Sequence, residues 1–178
     1  IPIIDSNEDK AIKIASEIID NFQKIYEDKW LNMMRDKLGL FGEDKNDKNL
    51  IKSLLDWMEK NKADYTNTFC HLMGITMNEK IYQDKDFINW VNDWKERSAL
   101  NNSSKVKQNE LMEKANPVVI PRNHRVEEAL TAAENNDFEV MNRLLKVLKK
   151  PYNVSKDISE FQSPAPLSKE KYQTFCGT

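Results

Sequence analysis

Glycine is nearly missing from these 178 residues: Gly39, Gly42, Gly74 and Gly177 are all there is. Hairpins and sheets turn their corners on glycine, so this shortage argues against a β architecture. It also excludes a phosphate-cradling loop, because no G-x-G-x-x-G or G-x-x-x-x-G-K run exists to bring backbone N–H groups close to an anion. Cys70 and Cys176 are too few for a disulfide framework and lack C-x-x-C spacing, which points to a reducing compartment, the cytoplasm. The two histidines, His71 and His124, stand far apart without metal spacing, and His71 beside Phe69 and Leu72 reads as a packing residue. No run approaches the roughly 20 apolar residues that cross a bilayer, and Ile1-Pro2-Ile3-Ile4 is too short for the apolar region of a signal peptide. A membrane is therefore not expected as a partner.

Charge of one sign is lacking as well. With 27 basic and 29 acidic residues the formal net charge is -2, which supplies no field to attract a phosphate backbone, so nucleic acid is not expected as a partner. Apolar residues make up 39% and charged residues 31%, at a mean hydropathy of -0.73, the balance of a protein with much helical surface and a modest core. The chain is long enough for one cored body, and its first residue, Ile rather than Met, reads as a start inside a longer chain or after processing, the former being expected.

What is present is helical periodicity. From Ala11 to Leu38 apolar residues recur in steps of three and four, predicting an amphipathic helix over about 7–38, capped by Asp5 or Ser6 and ended by Gly39. Asn46 or Asp47 opens a second helix that stops near Asn61. Asp64 caps a short third ended by Gly74, and a fourth runs from about Asp86 to Ala99 with Phe87, Trp90, Val91 and Trp94 on one side. Residues 101–109 read as a polar loop or the lead-in to a helix holding Leu111 and Met112. Asn116-Pro117 and Ile120-Pro121 fix an extended segment. An antiparallel pair follows: Asn123–Glu134, with Val126, Ala129, Leu130 and Ala133 inward, and a helix from Asp137 to Pro151, with Phe138, Met141, Leu144, Leu145 and Leu148 inward. The expected fold is all-α, a single irregular helical domain of about six to seven helices over 1–151, with an extended carboxy-terminal tail over 152–178 that packs as a strap or hangs free.

No catalytic constellation stands out. Glu8-Asp9 and Glu127-Glu128 are what solvated helix faces carry, and adjacent helical residues do not converge on one point. Trp30, Trp57, Trp90 and Trp94 resemble a base-stacking platform only superficially, since their helical spacing beside aliphatic residues favours packing. Two features resist this reading. Arg122, Asn123, His124 and Arg125 give a helix start the wrong charge for an amino terminus, so an acidic group is expected to compensate, in an intradomain cluster in preference to a partner site. Cys176, between Phe175 and Gly177, is a redox candidate, whereas Cys70 on an apolar helix reads as inert.

Four blocks in order, W-L-N-M-M-R-D-K-L-G-L-F from Trp30, D-Y-T-N-T-F from Asp64, N-P-V-V-I-P-R-N-H-R-V-E-E-A-L from Asn116, and D-F from Asp137 with L-L-K-V-L-K-K-P-Y through Tyr152, resemble the selenoprotein O family of protein adenylyltransferases. The resemblance covers nearly the whole chain. It implies a kinase-like parent that transfers AMP from ATP, with Mg²⁺, to protein hydroxyls, and places this chain at the helical end of the C-lobe with its extension. Nucleotide-, metal- and catalytic-loop residues of the family lie upstream, so no catalytic, cofactor-binding or metal-binding residue is expected here. The partners it implies are the amino-terminal kinase-like part of the same chain and the parent's protein substrates. Cys176, third from the end, holds the position at which family members carry selenocysteine or cysteine, implying a disulfide with a cysteine of the catalytic part. The Cys-Gly-Thr ending departs from the Cys-Ser-Ser of many relatives, and Cys70 stands where many have Arg. The rival reading is a free-standing helical module that binds proteins through Arg122–Arg125 or an exposed aromatic patch; a continuous upstream reading frame with a Gly-rich loop would exclude it.

Overall fold

The computed structural model describes residues 4–75, 80–100, 103–154 and 158–165. Among them there is no strand. Eight α-helices appear, α1 Glu8–Lys37, α2 Asp47–Asn61, α3 Tyr65–Leu72, α4 Lys85–Ala99, α5 Lys105–Ala115, α6 Asn123–Glu134, α7 Glu139–Leu148 and α8 Ser159–Gln162, with a 3-10 turn at Lys80–Gln83 before α4. The all-α expectation holds. Local chemistry explains the boundaries. The start of α1 is capped by Asn7, not by Asp5 or Ser6, through a 3.0 Å bond from Lys10 N–H to its side chain, while Asp5 accepts from Asn7 N–H. Asp84 caps α4 by accepting from Asp86 and Phe87 N–H. The polar lead-in after residue 101 becomes helix at Lys105, with Ser104 accepting from Lys107 N–H.

The residues group into two compact units, one formed by Ile1–Trp57 and Tyr82–Ala115, the other by Met58–Ile81 and Asn116–Thr178. In the first, an aromatic ladder fills the core. Trp57 and Phe87 have ring centroids 4.5 Å apart, Phe87 stacks on Trp90 at 6.1 Å, and Trp90 lies nearly parallel to Trp94 at 6.1 Å. Burying an indole leaves its N–H in need of an acceptor. Trp57 donates to Asp84, Trp90 to the Leu50 carbonyl and Trp94 to the Leu38 carbonyl, all at 2.8–2.9 Å. These three rings are buried and fully engaged, which removes them as a surface for bases, and Trp30 is half-buried. Gly39 ends α1 at φ +65°, and a β-carbon there would stand 2.6 Å from Gln108 Cγ and 2.9 Å from Met112 Cγ. Both the backbone angle and the approach of α5 therefore require glycine.

The same unit buries a carboxylate. Asp47, with no exposed surface, accepts from Arg35 Nε at 2.7 Å, from Arg97 Nε at 2.7 Å and from Asp44 N–H at 3.0 Å. α1, α2 and α4 meet at this group. Burial pushes its carboxyl upward, but the Arg97 and Arg35 guanidiniums outweigh that and hold it below the usual carboxylate range.

In the second unit Cys70, Val118, Val119, Ala129, Leu144 and Val147 form the core. The α6–α7 pair forms as expected, with three corrections: Leu130, Phe138 and Leu145, expected inward, are exposed. Phe138 sits at the cap before α7 begins, and Leu145 lies about 100° around the helix from the buried Leu144. Residues 158–162, in the stretch that sequence alone leaves as strap or free tail, are docked: Ile158 and Phe161 are buried in this core. No described helix is long and apolar enough to cross a membrane.

Asp47→Asn keeps the shape of the side chain but removes the charge that two buried guanidiniums face. We expect a loss of about 3–5 kcal/mol. All four tryptophans lie in the first unit, so tryptophan emission during urea unfolding reads this loss directly; a shift under about 1 kcal/mol would show the cluster to be dispensable.

Candidate functional site

The segment singled out by charge, Arg122–Arg125, lies in the second unit at the start of α6. Pro117 and Pro121 hold the chain extended before it, and Val118 and Val119 N–H both donate to the Pro151 carbonyl, at 2.7 and 3.3 Å. Arg122 is the cap residue of α6 but offers no side-chain cap. Its guanidinium turns instead onto Asp64, NH1 to Oδ2 at 2.7 Å and NH2 to Oδ1 at 2.9 Å, with a third bond from NH2 to Asn67 Oδ1 at 3.1 Å. This is the fork geometry in which arginine matches a carboxylate.

Asp64 has a second task. It caps α3, accepting from Asn67 N–H at 2.8 Å, so one carboxylate starts α3 and anchors the start of α6. The network continues: Asn67 Nδ2 donates to the Gln162 carbonyl at 3.1 Å, and Gln162 Nε2 donates to the Val118 carbonyl at 2.9 Å. Asn67 and Gln162 are both buried, so each bond satisfies a group that water does not reach. Burial raises the Asp64 carboxyl, yet Arg122 and the α3 N–H groups more than compensate and hold it low.

The neighbours divide differently. Asn123 is exposed. Arg125 donates to Glu128 and to the Glu160 carbonyl, each at 2.8 Å, and Glu160 in turn pairs with Arg143, whose guanidinium lies 6.0 Å from the Phe161 ring centre. Burial pushes the His124 imidazole below the usual histidine range, and the Arg125 and Arg122 charges push the same way. The basic run is thus bound into its own unit through α3, α6, α7 and α8. Cys176 lies outside the described residues, and Cys70 is buried in the core.

Sequence reading located Asp64 as a helix cap but not as Arg122's counter-ion, which is 58 residues away. It missed Gln162 and the paired role of Asp47. Beside Asp47, in the first unit, an open cleft of about 580 Å³ is lined by Asp44, Asp93, Glu96 and Arg97 among others. Among the described residues no three of His, Cys, Asp or Glu converge to hold a metal ion. Asp47 and Asp64 have their oxygens occupied by guanidinium, and carboxylates held so far below neutrality are poor proton acceptors at pH 7.

The described residues thus define an all-helical body whose desolvated charges serve as clamps between helices. The family model for protein adenylyltransferase SelO matches residues 7–149, and the chain belongs to that family. It is 55% identical to the protein nucleotidyltransferase YdiU of Pelagibacter ubique (strain HTCC1062) over 100% of its own length and 37% of that protein's. It is 46% identical to the YdiU of Nitrosococcus oceani and 43% identical to that of Clostridium perfringens (strain 13 / Type A), covering 36% of each. The chain spans little more than a third of the length of these relatives.

Arg122→Ala should lower stability by about 3 kcal/mol, since it leaves Asp64 desolvated without its counter-charge. The pH dependence has a fixed sign. Because the folded Asp64 pKa lies below the ordinary value, the stabilisation is complete above about pH 4 and is lost as pH falls through the folded value. Urea titrations followed by far-ultraviolet circular dichroism from pH 7 to pH 2.5 should show that slope in the wild type and a flatter one in Arg122→Ala.

Proposed function

We propose that these residues form the helical supporting part of a protein adenylyltransferase, which transfers AMP from ATP to hydroxyls of protein substrates, and that nucleotide and Mg²⁺ are bound by chain outside them. The supporting observation is the family match, which runs through α1 to α7 although the chain covers only 37% of a relative's length. The donor chemistry agrees. Asp47 and Asp64, the carboxylates at the two helix junctions, are held by arginine and so are not free to take Mg²⁺ beside a nucleotide's phosphates. The role left to this part is mechanical: stiff helices, clamped by Asp47 and by Asp64, against which a catalytic lobe is held.

Calorimetric titration of the 178-residue chain with ATP and Mg²⁺ should give no saturable heat, and the chain should not label proteins with AMP, while the product of the complete reading frame should. Saturation of the chain alone near 1 µM, about -8 kcal/mol, would reveal a nucleotide site in it and overturn the reading.

The proposal extends to Cys176 on the family resemblance, as the thiol that pairs with a cysteine of the nucleotide-binding part. Peptide mapping of the complete protein without reductant should recover that linked pair, and Cys176→Ser should remove the response of AMP transfer to thiol reductant; a link only to Cys70, or an unchanged response, contradicts it.

A further inference from the structure

Helix α1 carries an apolar face that nothing described covers. Every residue from Ser16 to Lys29 is exposed, and among them Ile18 is 62%, Ile19 71%, Phe22 66%, Ile25 56% and Tyr26 58% accessible. Their spacing of i, i+1, i+4, i+7 and i+8 places them in one stripe roughly 100° wide, the pattern of a helix seated on a core. Among the described residues the ring contact of the stripe is internal, Phe22 on Tyr26 at 6.2 Å.

A helix built for water has no use for this composition. Isoleucine, phenylalanine and tyrosine are weaker helix formers than the alanine, glutamate and lysine that suit solvated helices, so the stripe costs helical propensity and recovers it only on burial. A contiguous apolar patch of a few hundred Å² on a soluble body marks a site of contact.

The occupant follows from charge and from length. The rest of the solvated stretch carries Glu17, Asp20, Glu27 and Asp28 against Lys24 and Lys29, four acids to two bases. Helices that lie on anionic lipid carry the opposite excess, so a membrane surface is disfavoured. The stripe falls inside the family match, which begins at residue 7, so it belongs to the family's own body; and the relatives carry well over half their length beyond what this chain spans.

We propose that the α1 stripe of Ile18, Ile19, Phe22, Ile25 and Tyr26 is the docking face for the remaining chain of the adenylyltransferase, taken up by an apolar surface of that part. The proposal rests on the reading of this chain as a portion of the longer enzyme.

Hydrogen exchange read by mass spectrometry on peptides covering Ser16–Lys29 tests it, comparing the 178-residue chain with the product of the complete reading frame. Docking predicts that exchange across this stretch slows by about tenfold or more in the complete protein. The double variant Ile19→Glu, Phe22→Glu should abolish the slowing while leaving the tryptophan-monitored unfolding of the 178-residue chain unmoved, since both side chains are already in water. Equal exchange in the two proteins overturns the proposal, as does a reading frame that encodes no further chain. Protection already present in the 178-residue chain and lost on dilution assigns the face to a second copy; protection that appears only with anionic lipid vesicles assigns it to a membrane. Either result overturns the proposal. Docking and catalysis separate cleanly: slowed exchange in a complete protein that transfers no AMP keeps the docking and rejects the function, and AMP transfer with unslowed exchange does the reverse.

Discussion

A carboxylate removed from water has to be given positive charge and hydrogen bonds in return, and each unit is arranged around one such group. Asp47 has no exposed surface and is met from α1 by Arg35, from α4 by Arg97 and from its own loop by the Asp44 N–H. α1, the loop before α2 and the distant α4 are thereby brought to one point, because leaving any donor out would strand charge in a medium that does not tolerate it. Asp64 does the same in the second unit with fewer atoms. Its two oxygens receive both terminal nitrogens of Arg122 and also cap α3, so a helix start and a helix–helix contact depend on one side chain. Apolar burial drives such folding, but it is indifferent to small slips along a helix. Forked hydrogen bonds are not.

This division explains what was legible in the sequence. Sequence alone places α6 at Asn123–Glu134 because its signals are local: proline before it and Asn135-Asn136 after it, with Asn136 at φ +62°. The fold class was legible for the same reason, since three-and-four spacing and scarce glycine leave little besides helix. Periodicity tells which residues share a face and says nothing of what that face meets. Hence the stripe of α1 was recognised as apolar while its exposure was not, and Leu145, one step from Leu144, was expected inside. Partners far apart in the chain were invisible too. A basic helix start demands an acid, but nothing in the neighbourhood of Arg122 names Asp64, and Gln162 lies in a stretch whose composition has no period at all.

The two arginine clamps also bear on how charge is used in this chain. Side chains that in another setting would be acids, bases or metal ligands are here tied to guanidinium and backbone, which lowers their reactivity and raises the precision with which helices are held. His124 shows the same crowding: partial burial and the charges of Arg125 and Arg122 push its imidazole below the usual histidine range.

The order in which the chain is made gives the two units different histories. The first is discontinuous, and everything it needs has been synthesised once Ala115 is added, with residues 58–81 set aside as an insertion. The second begins earlier in its α3 residues but draws Ile158, Phe161 and Gln162 from much later in the chain. On a ribosome adding residues at about 5–20 per second, Asn67 and the Val118 carbonyl therefore wait several seconds for Gln162, whose backbone carbonyl and side-chain amide meet them. During that interval Cys70 and the valines beside it lack their last cover, which Ile158 and Phe161 supply.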